Sequence, residues 1–274
     1  MKGLEPLPVV ARMSGDGRWH RIVWPVVVFL CGLVAWDLVV RINDIQPYIL
    51  PGPLLVGQTL IADWAVLSAS LGVTLLTALE GFIAAAVGGI AMALLFNQSK
   101  WLEYSLLPYA IVLQVTPVIA IAPLMLIYLP QEAAIVACAF IVAFFPVLAN
   151  TTLGLNSVDR NLRGLFQLNG ASRWQTLRYL QLPSAMPYML GGLRIAGGLS
   201  LIGAVAAEIA AGAAGSGSGL AYRIIESGYR LNIPRMFAAL LLLSVAGIVI
   251  YMLLALVSHR MLRRWHESAL RKEK

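Results

Sequence analysis

The chain has 274 residues, of which 59% are hydrophobic and only 12% are charged, and its formal net charge at pH 7 is +7. Soluble domains carry about 25% charged residues, so this composition excludes a soluble globular protein. The apolar residues come in long blocks that predict membrane spans. The positive charge then indicates basic residues beside spans rather than a nucleic-acid partner.

Six apolar blocks predict an all-α integral membrane protein with about six transmembrane helices. The predicted spans are about 22–40, 71–96, 105–129, 133–155, 188–211 and 236–257. Each block is long enough to cross roughly 30 Å of hydrocarbon as a helix. We expect a single transmembrane domain at 22–257, between an N-terminal segment at 1–21 and a basic tail at 258–274. Cys31 and Cys138 lie inside these blocks and are interpreted as buried apolar residues rather than metal ligands.

The distribution of lysine and arginine predicts the orientation of the spans. Six spans place both termini on one side, where fifteen Lys and Arg residues fall, against four on the other side. Because basic loops stay in the cytoplasm, we expect both termini and the loop 156–187 to be cytoplasmic. The loop 46–69 is then outside, and its short apolar run is expected to lie along the membrane surface.

Two spans carry polar residues at a depth where side chains are usually apolar. In the third span, Gln114 and Thr116 lie near the middle, and Pro117 removes a backbone donor and kinks the helix. Such backbone is tolerated where it lines a cavity, so these residues are predicted to line a translocation pathway. The alternative is a kinked helix packed against its neighbours. Glu80, deep in the second span, is assigned to the same pathway because an ionisable residue there is costly.

The loop 156–187 is predicted to hold two short helices. Before the turn, apolar residues recur at helical spacing and form one stripe; they are Val158, Leu162, Leu165 and Phe166. Asn169 and Gly170 tolerate φ > 0 and end the first helix. Ser172 with Gln175 then forms a capping box for a second helix.

The second short helix is expected to carry an apolar face and to stop at two prolines. Trp174, Leu177 and Leu180 share that face, and Pro183 and Pro187 end the helix. An apolar and basic surface on a rigid pair of helices is typical of a docking element for another protein; a plain connector is the alternative. The predicted contact residues are Phe166, Asn169, Gly170, Ala171, Ser172, Arg173, Trp174, Leu177, Leu180, Leu182 and Pro183.

The stretch GASRWQTLRYLQLP resembles the EAA loop of ATP-binding-cassette (ABC) importer permeases. The family glycine corresponds to Gly170, the aliphatic position to Leu180, and the Leu-Pro pair to Leu182 and Pro183. The opening E-A-A falls on residues 164–166, which read Gly-Leu-Phe, so the acidic start of the motif is absent.

Four further stretches resemble the nitrate/sulfonate/taurine-type branch of these permeases. They are ILPGP at 49–53, QVTPVIAIAPL at 114–124, GLRIA at 192–196 and AAE at 206–208. The resemblance implies a bacterial inner-membrane permease that pairs with a second copy of itself. It also implies two cytoplasmic ABC ATPase subunits and an extracytoplasmic solute-binding protein as partners.

The sequence independently indicates that the chain does not bind ATP through a P-loop. That motif needs Gly-Lys-Ser/Thr, and the four lysines follow Met1, Ser99, Arg271 and Glu273. ATP is therefore expected to be bound by a partner subunit, and no cofactor is expected for this chain. No enzymatic activity is expected either, because the spans contain neither a nucleophile–base pair nor a metal cluster.

Two ionisable residues in the fifth span are interpreted separately. Arg194, near the inner end, is expected to reach the interface or to cap the loop. Glu208, near the outer end, is a candidate for an outer gate or for the seam between two copies. Fourteen residues, roughly 21 Å of helix, separate them, so they do not pair within one chain.

Relatives of this branch import nitrate, sulfonates, taurine, bicarbonate, or aromatic nitrogen heterocycles such as thiamine and riboflavin precursors. The spans lack a strong cationic lining, and Gln114 with Pro117 resembles the heterocycle importers, so a small organic solute is favoured. The alternative function is an ion-driven secondary carrier, which would need buried acid pairs and an internal repeat. An intramembrane enzyme would need a nucleophile–base pair or a metal cluster.

Overall fold

The computed structural model describes residues 17–212 and 218–263, with side chains from residue 23 onward. The described chain is helical throughout and contains no strand. The helices are α1 (Gly17–Ile42), α2 (Pro53–Ala62), α3 (Trp64–Gln98), α4 (Lys100–Val115), α5 (Val118–Tyr128), α6 (Gln131–Asn156), α7 (Arg160–Leu168), α8 (Arg173–Thr176), α9 (Leu182–Ala211), α10 (Leu220–Tyr229) and α11 (Ile233–Leu262), with a π-helical turn at Leu177–Gln181.

The prediction of an all-α protein with about six spans is confirmed. Five stretches of helix are long and apolar enough to cross a membrane, and the bent pair α4–α5 makes a sixth if it is counted as one span. The short apolar run in the loop 46–69 forms α2. Cys138 is buried as expected, whereas Cys31 is exposed on α1, so that part of the expectation is wrong. α1 contacts the rest of the chain at α2 and through Trp36, whose ring lies 5.7 Å from that of Phe237 on α11.

The core of the fold is the packing of α3, α6 and α9 through small residues. A Cβ at Gly203 of α9 would lie 2.9 Å from the carbonyl oxygen of Cys138 on α6, and one at Gly192 would lie 2.9 Å from the carbonyl oxygen of Pro146. A Cβ at Gly81 of α3 would collide with Ala139 on α6. Helices in membranes associate where small residues let their backbones approach closely, so these glycines fix the three helices against one another.

The third span is a broken helix rather than a kinked one. The chain bends by 102° between α4 and α5, and Thr116 and Pro117 at the bend have extended backbone. Pro117 has no N–H to continue the ladder of α4, and the residue before a proline is pushed away from helical geometry. α5 then packs against α6 and α9.

The expectation that Pro183 and Pro187 end the second short helix is wrong. Helix continues from Arg173 to Ala211, with Pro183 in the first turn of α9 and Pro187 inside α9. The π-helical turn Leu177–Gln181 lies immediately before Pro183. A wider turn removes the clash that a proline ring makes with the preceding turn, so the chain passes from loop to span without a break.

Candidate functional site

The segment Arg160–Gln181, called the elbow below, contains a sharp turn between α7 and α8. Gly170 has φ +69°, the left-handed conformation that favours glycine. Its N–H donates to the carbonyl of Gln167 at 3.0 Å, and the N–H of Ala171 donates to the carbonyl of Phe166 at 3.0 Å. This pair of bonds is the Schellman motif, which satisfies carbonyls at the end of a helix. The turn predicted at Asn169 and Gly170 is confirmed.

Both short helices of the elbow have capped N-termini. The Asp159 carboxylate accepts from the backbone N–H of Asn161 at 2.7 Å and caps α7. At α8, the Ser172 hydroxyl accepts from the N–H of Gln175 at 3.2 Å, and the Gln175 side chain accepts from the N–H of Ser172 at 2.7 Å. The predicted capping box is therefore present, and it stiffens the tip of the elbow.

The elbow has one exposed side and one side packed into the transmembrane core. Trp174 is 63% exposed and Leu168 is 88% exposed. Leu177 and Leu180, predicted to share the docking face with Trp174, are only 3% and 8% exposed. They anchor the elbow to the membrane helices. Of the other predicted contact residues, Asn169, Gly170, Ser172 and Arg173 are exposed, and Phe166, Ala171, Leu182 and Pro183 are half-buried.

A concave surface of about 460 Å³ lies inside the bend of the elbow. Leu165, Phe166 and Tyr179 supply most of its apolar wall, and Gln175 adds an amide. A concave apolar surface with a few polar groups is the usual shape of a binding site. The elbow is therefore not only a projection but also offers a hollow to a partner.

A reciprocal amide pair joins the elbow to the end of α3. Asn97 Nδ2 donates to Gln181 Oε1 at 2.8 Å, and Gln181 Nε2 donates to Asn97 Oδ1 at 3.3 Å. Gln181 is 7% exposed, so its amide depends on this partner. The pair links residues 84 positions apart, and the sequence carries no local signal for it.

Beside this pair is a polar hollow of about 340 Å³ that contains two arginines and no acidic residue. Its wall includes Arg163, Arg173, Gln98 and Gln167. Arg163 Nε and Nη2 are buried and have no hydrogen-bond partner among residues 17–212 and 218–263. A guanidinium without a partner is strongly disfavoured unless an acceptor approaches, so the hollow is suited to a carboxylate or another anion.

The predicted pathway residues of the broken span lie at its bend. Gln114 and Pro117 are exposed on the surface of the single chain, and Thr116 is half-buried. The Thr116 hydroxyl donates to the carbonyl of Val112 at 2.7 Å, which satisfies the end of α4. The Gln114 side chain makes no hydrogen bond within the part of the chain that the structure describes.

Glu80 and Glu208 occupy very different surroundings. Glu208 is 3% exposed, and its Oε2 accepts from the Thr74 hydroxyl at 3.0 Å and from the backbone N–H of Ala221 at 3.1 Å. It holds the start of α10 against α3 and α9. Glu80 is exposed at the middle of α3. Arg194 packs over the ring of Tyr251, with 5.8 Å from Cζ to the ring centroid.

Comparison with known proteins identifies the family. Residues 85–263, which include α6, α9, the second part of α3, the elbow and the bend between α4 and α5, match the model of the binding-protein-dependent transport system inner membrane component. The chain belongs to this family. It is thus a transport permease of the ABC importer type, as the resemblance in the EAA loop predicted.

Named relatives of this permease span nearly its whole length. The riboflavin transport system permease protein RibX of Chloroflexus aurantiacus is 33% identical, over 96% of this chain and 99% of that protein. The formylaminopyrimidine transport permease protein ThiX of Halalkalibacterium halodurans is 32% identical, over 85% of this chain and 92% of that protein. Permeases named for nitrate and for aliphatic sulfonates also match, so the predicted branch is confirmed.

A solved structure supports the fold. The crystal structure of an amino acid ABC transporter with histidines superposes with a TM-score of 0.62, covering 74% of this chain and 97% of that one. The sequences are 20% identical, so the likeness concerns the arrangement of helices.

Proposed function

We propose that this permease forms the solute pathway of an ATP-driven importer as a homodimer, and that the elbow receives motion from a separate ATPase. The observation that carries the proposal is the construction of the elbow. Its tip is capped and turned by a Schellman motif, its exposed side carries Trp174 and Leu168, and its buried side is fixed by Leu177 and Leu180. A rigid lever anchored in the spans transmits displacement better than a flexible loop.

The polar hollow supplies the charge complementarity for that partner. The family motif opens with an acidic residue, but position 164 is glycine here, and the neighbouring Arg163 has two buried guanidinium nitrogens without acceptors. An acidic side chain of the ATPase that enters this hollow would form charge-assisted hydrogen bonds with the arginines of its wall, Arg163 and the exposed Arg173. The polarity of this contact is thus reversed relative to the motif: the permease provides the cation.

The pathway is proposed to run beside the bend of α4 and α5. The backbone there is extended, and Gln114 is free to bind solute or water. Non-helical backbone at membrane depth is tolerated where it lines a cavity or is buried in protein. Gln114, Thr116 and Pro117 of two copies would face each other across that cavity, with Glu80 on the same route; Glu208 supports the wall from inside.

The orientation is part of the proposal. The charge count of fifteen against four supports a cytoplasmic position of the elbow and both termini. With Cys31 and Cys138 replaced by serine, Arg173→Cys should resist a membrane-impermeant maleimide in intact cells and react after permeabilisation. Tyr229→Cys, at the opposite end of the fold, should react in intact cells. Labelling of Arg173→Cys from outside overturns the topology.

Docking is tested by site-specific photocrosslinking in the assembled complex. A benzophenone side chain at Trp174 should crosslink to the cognate ATPase. The matched control at Tyr229, which is 87% exposed at the end of α10, should not. A complex in which the probe at Trp174 reaches only lipid or solvent contradicts the proposal.

A further inference from the structure

Glu80 is an exposed carboxylate in the middle of α3, which runs from Trp64 to Gln98. It lies nine residues from the start of the apolar run 71–96, about 13 Å from that end and farther from the other. Exposed apolar residues at helical spacing share its face, namely Leu76, Ile83 and Val87. None of the ion pairs of the described residues includes Glu80.

The packing of α3 leaves this side chain outside the core of its own chain. An ionised carboxylate at the centre of a bilayer is costly, and such groups face a bundle interior or a water-filled cavity. α3 cannot rotate to bury Glu80 in its own chain, because Gly81 is in contact with Ala139 of α6 and Gly89 with Val147. Because the cost of an ionised carboxylate disfavours lipid, we assign the face with Glu80 to the pathway of the proposed homodimer.

The other ionisable residues of the predicted spans are already used or lie far from Glu80. Glu208 is bonded to Thr74 and Ala221, and Asp37 forms an ion pair of 2.7 Å with Arg41. The six predicted spans contain a single lysine or arginine, Arg194, which packs over Tyr251. Among the described residues, no lysine or arginine forms an ion pair with Glu80, so its carboxylate has no cationic partner there.

We propose that Glu80 selects the solute: it accepts hydrogen bonds from N–H groups of a neutral or cationic solute and repels oxyanions. The inference rests on the proposed function and names its substrate class. A carboxylate is an acceptor-only group when ionised, and its negative charge in a low-dielectric channel raises the barrier for an anion. Leu76 and Ile83 on the same face pack against the flat side of a ring, while the Glu80 carboxylate accepts hydrogen bonds from the N–H groups at the edge of that ring. The class is thus an N–H-bearing heterocycle.

Uptake by the complete importer tests the selection. The probes are labelled riboflavin and formylaminopyrimidine as N–H-bearing heterocycles, and nitrate and ethanesulfonate as oxyanions. We expect wild type to import a heterocycle, and Glu80→Gln to lower that uptake by about tenfold, the equivalent of one charge-assisted hydrogen bond. Glu80→Asp should retain part of it. Glu132→Gln, the same change in the exposed first turn of α6, should leave it unchanged. Import of nitrate or ethanesulfonate by wild type, or full heterocycle import by Glu80→Gln, overturns the inference.

A second measurement locates Glu80 without reference to any solute. In a variant with Cys31→Ser and Cys138→Ser, Glu80→Cys should react with a small water-soluble methanethiosulfonate, because a thiol must meet water to form the reactive thiolate. Ile248→Cys, on the exposed apolar side of α11, should be at least about tenfold slower, since lipid excludes the reagent. If the cysteines at both positions react equally slowly with the methanethiosulfonate, Glu80 lies outside the pathway and the inference is wrong.

The two failures are distinguishable. If uptake in wild type does not depend on ATP and a binding protein, the proposed function fails. If that dependence holds while Glu80→Gln imports the heterocycle normally, only the role of Glu80 fails.

Discussion

Replacing Gln181 with alanine should loosen the elbow from the membrane helices while leaving both folded. The amide pair with Asn97 has two hydrogen bonds, of 2.8 and 3.3 Å, each worth about 0.5–1.5 kcal/mol net. Truncation also leaves the Asn97 amide without its partner, which costs about 1–3 kcal/mol when a group is buried. Asn97 is only half-buried and regains some water, so we expect the free energy of unfolding to fall by about 2 kcal/mol.

The assay is a double-mutant cycle with Asn97→Ala. The double variant should be less stable than either single variant by at most a few tenths of a kcal/mol. The two single effects are then not additive, and the coupling free energy is about 1–2 kcal/mol. Stability is measured by SDS unfolding of the purified chain. Solute transported per ATP hydrolysed should fall several-fold in the assembled importer, because the elbow no longer moves α3.

Asn156→Ala is the matched control for this cycle. Its amide is exposed and bonds only to the carbonyl of Thr152 in its own helix, so stability and coupling should both stay close to wild type. Additive effects of the two single changes at residues 97 and 181 refute the linkage. A Gln181→Ala variant that transports as much solute per ATP hydrolysed as wild type also refutes the linkage.

Three further predictions concern the elbow and the pathway. Gly170→Val should weaken co-purification of the ATPase, because a branched residue at φ +69° costs about 1–2 kcal/mol. Gly170→Asn should keep the ATPase bound, because asparagine tolerates that backbone conformation, and equal losses in the two variants would contradict the reasoning. Arg163→Gln should lower affinity for the ATPase by about tenfold, the loss of one charge-assisted contact, whereas exposed Arg160→Gln on the same helix should leave a titration unchanged. Leucine at both Gln114 and Thr116 should cut solute uptake by about tenfold with the ATPase still bound; unchanged uptake would remove both residues from the pathway.

Features that depend on local chain geometry were predictable from the sequence. The turn at Gly170 and the capping box at Ser172 each involve residues within five positions, and both are present. The same local rules misplaced the end of the second short helix. Burial of Leu177 and Leu180 against the spans stabilises continuous helix, and the π-helical turn accommodates Pro183, so packing outweighed the local preference of proline to stop a helix.

Contacts between distant segments were beyond sequence reasoning. The local sequence around Asn97 does not predict its partner Gln181, and that around Thr74 does not predict Glu208. Both pairs are created by the packing of α3 against α9 and the elbow. The site of the break in the third span was predictable from Pro117. Its angle of 102° was not, because α6 and α9 set the direction in which α5 leaves the bend.

The central claim is that this permease is driven by ATP through a separate subunit. The most direct measurement is solute uptake into proteoliposomes that hold the permease, its ATPase and internal ATP, with the binding protein outside. The account predicts uptake that stops when ATP, the ATPase or the binding protein is omitted, and that is insensitive to proton and sodium ionophores. Uptake by the permease alone, sustained by an ion gradient and abolished by those ionophores, would contradict it and establish a secondary carrier.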